Sequence, residues 1–168
     1  MIQPEVVLSC AALGISALSL YLSSRLWNES NRPFITVRVE AHSDGNIRTP
    51  LNLIVENTGS RPALNVHLSV NSELLNGVLA ATVPPTERSA IEACFDRKFA
   101  LPVLANGASR SNAFGAISSV DPQIWKNNSR LPIMVTYTDL DRRCFQSDQE
   151  ILIAVNLGFA QTWWKSDK

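Results

Sequence analysis

The chain has 168 residues, with 15 Lys and Arg against 15 Asp and Glu, and three cysteines. Balanced, scattered charge argues against a nucleic-acid surface, which needs clustered cations. Without a Cys-x-x-Cys pair or a Cys/His cluster, zinc is disfavoured as well.

The first feature along the chain is an uncharged, proline-free run from Val6 to Ser24. As a helix it is roughly 28 Å long, close to the roughly 30 Å hydrocarbon core of a bilayer. It predicts one transmembrane helix. A cleavable signal peptide is a poor fit, because Met1-Ile2-Gln3-Pro4-Glu5 carries no Lys or Arg and the run ends at Arg25-Leu26-Trp27. The lipobox-like Val7-Leu8-Ser9-Cys10 stands at the wrong end of the run. Arg25, Arg32 and Arg38 follow the helix and no cationic side chain precedes it, so the positive-inside rule puts the N-terminus outside and the rest in the cytoplasm. Tyr21 and Trp27 fall where aromatic rings favour headgroups. Ser9, Ala12, Ser16, Ser19 and Ser23 form a seam of small residues along one side. Small residues let membrane helices approach closely, which predicts a helix–helix interface with a second copy or a partner. The bland alternative is that each serine bonds back to its own helix.

Asn28 to Pro33 is a polar link. Period-two alternation then begins, with Ile35, Val37 and Val39 on one face of a strand from Phe34 to Glu40. His42 to Asn46 is turn chemistry, and Leu51 to Val55 is the next strand. Asn57 to Pro62 breaks it. Leu64, Val66, Leu68 and Val70 then point inward, with Asn65, His67 and Ser69 outward. Ser72 to Leu79 reads as a helical turn or loop ended by Pro84-Pro85, and Ser89 to Phe99 as a strand of mixed pattern. Leu101 to Gly107 reads as an apolar link into a turn, followed by a strand near Ser111 to Ala116. Asp121 to Arg130 is loop or helical turn around Trp125. Ile133, Val135 and Tyr137 mark a strand from Leu131, Asp139 to Arg143 is a hairpin turn, and Phe145 to Leu157 is the last strand. About seven short strands without an alternating helix predict a mostly-β antiparallel sandwich.

The segment Val55-Glu56-Asn57-Thr58-Gly59-Ser60-Arg61-Pro62-Ala63-Leu64-Asn65-Val66 resembles the signature of bacterial immunoglobulin-like sandwich domains of the cell-adhesion-related (CARDB-like) kind. Leu101 to Ser109 is similar to the turn before a later strand of those domains, and Val135 to Asp139 with Arg143 and Phe145 to their penultimate hairpin. The resemblance covers most of Pro33 to Leu157. It departs in a last hairpin without glycine and in a longer stretch from Asn71 to Phe99. It implies an immunoglobulin-like fold, a bacterial inner-membrane setting and no activity. The expected organisation is a tail and transmembrane helix over 1–27, a linker over 28–33, a sandwich over 34–158 and an aromatic tail over 159–168.

No constellation suggests catalysis, a cofactor or a metal. His42 and His67 lack a neighbouring nucleophile and carboxylate in sequence, so a structural role is favoured. Asp139, Asp141 and Asp148 lack the spacing of a calcium loop, and Arg142-Arg143 repel a cation. Asn28-Glu29-Ser30 and Asn127-Asn128-Ser129 match glycosylation acceptors, which matter only in a secretory lumen. Cys94 and Cys144 are either a bridge or, in better accord with β segments, small apolar side chains. Trp163 and Trp164 in the tail join Trp27 as candidate contacts with the membrane interface or a partner. The expected function is a non-enzymatic, single-pass membrane module presenting a cytoplasmic domain to a protein partner, with the bilayer and possible self-association through the helix as its other contacts. The alternatives are an extracytoplasmic adhesion or envelope domain on an uncleaved signal anchor, and a membrane effector acting through self-associating helices.

Overall fold

In the computed structural model, residues 3–41, 48–118, 123–126 and 128–154 are described, with backbone alone for 4–7. Helix α1 spans Pro4–Ser30 and so takes in Asn28, Glu29 and Ser30, which read as linker in the sequence. Pro4 starts it, at a position where the missing N–H costs nothing. An Arg25–Glu29 ion pair one turn apart (3.1 Å) supports its end. The Asn31 side chain closes it by donating to the Trp27 carbonyl (2.9 Å), and Pro33 bars its continuation. From Leu8 to Leu26 every residue is exposed. The expectation of a transmembrane helix meets a contrary finding here: among the described residues, no helix is long and apolar enough to cross a membrane. Gly14 and the serines at 9, 16, 19, 23 and 24 dilute the run, and its described side chains begin only at Leu8, after Val6 and Val7.

The strands are β1 (Ile35–Ala41), β2 (Arg48–Asn57), β3 (Ala63–Ser69), β4 (Leu101–Leu104), β5 (Ser109–Ser118), β6 (Ser129–Thr138) and β7 (Cys144–Ile153). They form two antiparallel sheets, β1-β2-β5 and β4-β3-β6-β7. The expected seven-strand sandwich is present. Its core is the set of side chains that alternation turns inward: Ile35, Leu53, Val66, Leu131, Val135, Ile151 and their neighbours.

Three stretches differ from the sequence reading. The strand expected over Ser89 to Phe99 is helix α3 (Pro85–Ala93) followed by a 3-10 turn at Arg97–Phe99. Pro85 starts α3, Arg88 pairs with Glu92 one turn on (2.9 Å), and Ile91 alone is buried. The apolar link at Leu101 is strand β4, an edge strand that tolerates Pro102. In β3, Ala63 is buried and Leu64 is not, because Asn65 adopts φ +51° and the ladder to β6 slips between Leu64 and His67. The bulge resets the phase, so Val66 and Leu68 face the core as expected. Before α3, helix α2 (Ser72–Val78) is capped by Asn71, whose side chain accepts from the Glu73 N–H (2.8 Å).

Trp125, read as part of a polar loop, is buried. Its ring lies 4.6 Å from that of Phe114, and its indole N–H donates to the Phe114 carbonyl (2.6 Å). Gly115 makes room for it. At φ +77°, a Cβ there would stand 2.9 Å from Ile124 and 3.0 Å from the indole nitrogen.

Candidate functional site

The four sheet edges are treated unequally. On one side, β1 and β7 face each other and Gln149 bridges them. Its side-chain carbonyl accepts from Val37 N (3.0 Å) and its amide donates to Ile35 O (2.6 Å). One β7 side chain thus supplies the bonds a neighbouring strand would give the β1 edge, and the sandwich is closed there.

The other side, between β4 and β5, is open. A cavity of about 290 Å³ enters between the sheets at that edge. Leu53, Val55, Val66, Leu68, Phe99 and Leu101 give it apolar walls. Asp96, Arg110 and Asn112 are exposed polar members of its lining. Phe99 is 66 % exposed, although it is the largest apolar side chain in the lining. Helix α3 delivers Cys94 to the same place, and the Asn112 amide donates to its sulfur (3.3 Å). Burial pushes the Cys94 thiol above its ordinary pKa, so it stays protonated and is a poor nucleophile. His67 also lines the cavity, and its Nε2 is buried without a hydrogen-bond partner. An apolar cleft with a few polar groups at its edge is suited to binding an apolar group.

A second arrangement lies at the end of the sandwich where α1 joins. Asn57 is fully buried and its side chain serves four backbone groups. The carbonyl accepts from Phe34 N (3.2 Å) and Gly59 N (3.0 Å). The amide donates to Arg61 O (2.7 Å) and Leu104 O (3.1 Å). Thr58 N donates to Phe34 O (2.8 Å), and the Tyr137 hydroxyl to Pro33 O (3.2 Å). Burial raises the Tyr137 pKa, against the opposing pull of the Ile35 backbone and the Arg32 charge. Gly59 lies against the same segment, where a Cβ would come within 2.5 Å of Arg32 O and 2.7 Å of Pro33 C. The asparagine–glycine signature read as a corner is therefore a grip on the link from helix to sandwich. Arg61 extends it. Its guanidinium carbon stands 5.1 Å from the Trp27 ring centroid, and it pairs with Asp141 at 2.8 Å.

The other residues singled out in the sequence fall as follows. Ser9, Ala12, Ser16, Ser19 and Ser23 are all exposed on α1. Ser16 bonds back to the Ala12 carbonyl (2.9 Å), as the bland reading of the seam has it. Cys94 and Cys144 are both free thiols, not a bridge. Asp139 and Asp141 are committed to Arg143 N (2.9 Å) and Arg61, while Asp148 is exposed on β7. Among the described residues, no group of three His, Cys, Asp or Glu side chains is placed to hold a metal ion. His42, Trp163 and Trp164 lie outside the described residues. The edge cavity was missed in sequence because its lining comes from β2, β3, β4, β5 and the α3 region. The one local signal was Phe99, a large apolar residue beside Arg97-Lys98.

The family model of a domain of unknown function, DUF8453, matches residues 3–155. No curated protein matches the chain.

Proposed function

The chain belongs to the DUF8453 family, and we propose that it is a non-enzymatic, single-pass membrane module whose immunoglobulin-like sandwich is held at the cytoplasmic face of a bacterial inner membrane to bind a protein partner. The observation that carries this reading is α1. Leu8, Leu13, Ile15 and Leu20 are 76 %, 71 %, 70 % and 73 % exposed, and they point to different sides of the helix. Large apolar side chains exposed on more than one side of a helix favour an apolar surrounding, and among the described residues nothing covers α1 from Leu8 to Leu26. At 27 residues it is about 40 Å long, and Val6 and Val7 extend its uncharged run in sequence beyond the described side chains. The arginines that follow it support a cytoplasmic sandwich. The strand order, with β3 leaving its hairpin neighbour to pair with β6 in the second sheet, supports the immunoglobulin-like assignment. The open edge between β4 and β5 is the surface offered to the partner.

The test is alkaline carbonate extraction of membranes from cells making the full chain, paired with a C-terminal reporter active only in the cytoplasm. The chain should stay in the pellet and the reporter should be active. Release into the supernatant would overturn the anchor. A pelleted chain with a silent reporter would move the sandwich outside and favour the adhesion or envelope reading.

A further inference from the structure

This inference rests on the anchoring proposed above and concerns the tip of the β6–β7 hairpin, residues 139–143. Trp27 stands one turn before the end of α1, and tryptophan in such a position settles at the level of lipid headgroups. Arg61 touches both Trp27 (5.1 Å) and Asp141 (2.8 Å), so the hairpin tip is two contacts away from that level. The tip is firmly shaped. Asp139 is buried and its carboxylate accepts from Arg143 N (2.9 Å). Its carbonyl accepts from Arg142 N (3.1 Å), and Arg142 adopts φ +61°.

That shape leaves three side chains unused. Leu140 is 58 % exposed at the apex and lies outside the core cluster. Arg142 and Arg143 are exposed, and among the described residues neither forms an ion pair. Both acids of the tip are already engaged, Asp139 with the turn backbone and Asp141 with Arg61. The tip therefore presents one exposed apolar side chain followed by two exposed guanidinium groups, linked through Arg61 to the residue that marks the headgroup level.

We propose that the β6–β7 tip is a second membrane contact, with Leu140 entering the headgroup layer and Arg142 and Arg143 binding the phosphates of anionic phospholipids. Guanidinium forks match phosphate oxygens in geometry and keep their charge at any working pH. An anionic leaflet attracts such cations within a Debye length of its surface. The sandwich would then rest on the bilayer at two points, the helix and the hairpin.

The experiment uses the full chain in nanodiscs of phosphatidylcholine alone or with phosphatidylglycerol, read by hydrogen exchange at the amides of residues 140–143. Exchange should slow at least threefold in the anionic discs. The double variant Arg142→Gln, Arg143→Gln should lose that difference. The variant Arg97→Gln, Lys98→Gln, beside the edge cavity, should keep it. Equal exchange in both lipids from a chain that co-purifies with discs would overturn this contact and leave the anchor standing. A chain that fails to enter discs would overturn both.

Discussion

Asn57 shows how much one side chain can carry. Four backbone groups from three separate segments depend on it; the bond to Leu104 is buried and the other three are part-buried. Asn57→Ala should cost about 3 kcal/mol, because four backbone partners in or at the edge of the interior are left unpaired. A denaturant melt of the full chain in detergent checks this, and a loss below about 1 kcal/mol would mean that water replaces the bonds. Cys94 gives a prediction of opposite character. Its folded pKa is raised by burial, so at mildly alkaline pH it holds less thiolate than an ordinary cysteine, whereas Cys144 is exposed to reagent. Alkylation by iodoacetamide near pH 8, followed by peptide mass spectrometry, should label Cys144 several-fold faster. Equal rates would show that the α3 end opens readily. Both residues stood out in the sequence, Asn57 as a turn former and Cys94 as a cysteine. Their roles did not, because each depends on partners from other elements: Phe34 and Leu104 for Asn57, and Asn112 for Cys94.

At the scale of elements, what was legible was what repeats locally. Ile35-Thr36-Val37-Arg38-Val39 and Ile133-Met134-Val135-Thr136-Tyr137 alternate cleanly, and both are strands with the expected inward face. Ser89 to Phe99 was misread because only three of its apolar residues are large. Ile91, Phe95 and Phe99 recur every four positions, a helical spacing, but the acids and bases between them weaken the pattern. Helix α3 starts at Pro85, carries the Arg88–Glu92 pair one turn on and buries Ile91. Trp125 was missed for another reason: a buried loop is fixed by the hole it fills, between Phe114 and Gly115, which no local pattern encodes. The edges of the sheets yield a further prediction. Gln149→Leu removes the only side-chain bonds to Val37 N and Ile35 O among the described residues, and opens the β1 edge. Amide exchange at Val37 should accelerate at least tenfold, and the chain should lose about 2 kcal/mol. An unchanged Val37 rate would show that β1 and β7 are held together by core packing alone.

For the whole molecule, the question is how a helix and a sandwich with so little shared surface behave as one object. The link is short and gripped throughout. Asn31 is bonded to the helix, Pro33 is buried against the sandwich, and Phe34 is bonded on both its N–H and its carbonyl. A spin label on the helix (Leu18→Cys) and another at the open edge (Ser111→Cys), with the native cysteines replaced by serine, should therefore report one narrow distance by double electron–electron resonance. Inserting Gly-Gly after Asn31 should broaden it, and a broad distribution in the parent chain would show that the grip is loose. A narrow distance would mean that the joint has no swivel. Like a key whose shaft and bit turn together, any rotation of α1 about its own axis swings the open edge through the same angle. With α1 in a bilayer as proposed, the compass bearing of the open edge in the membrane plane would be dictated by whatever α1 packs against.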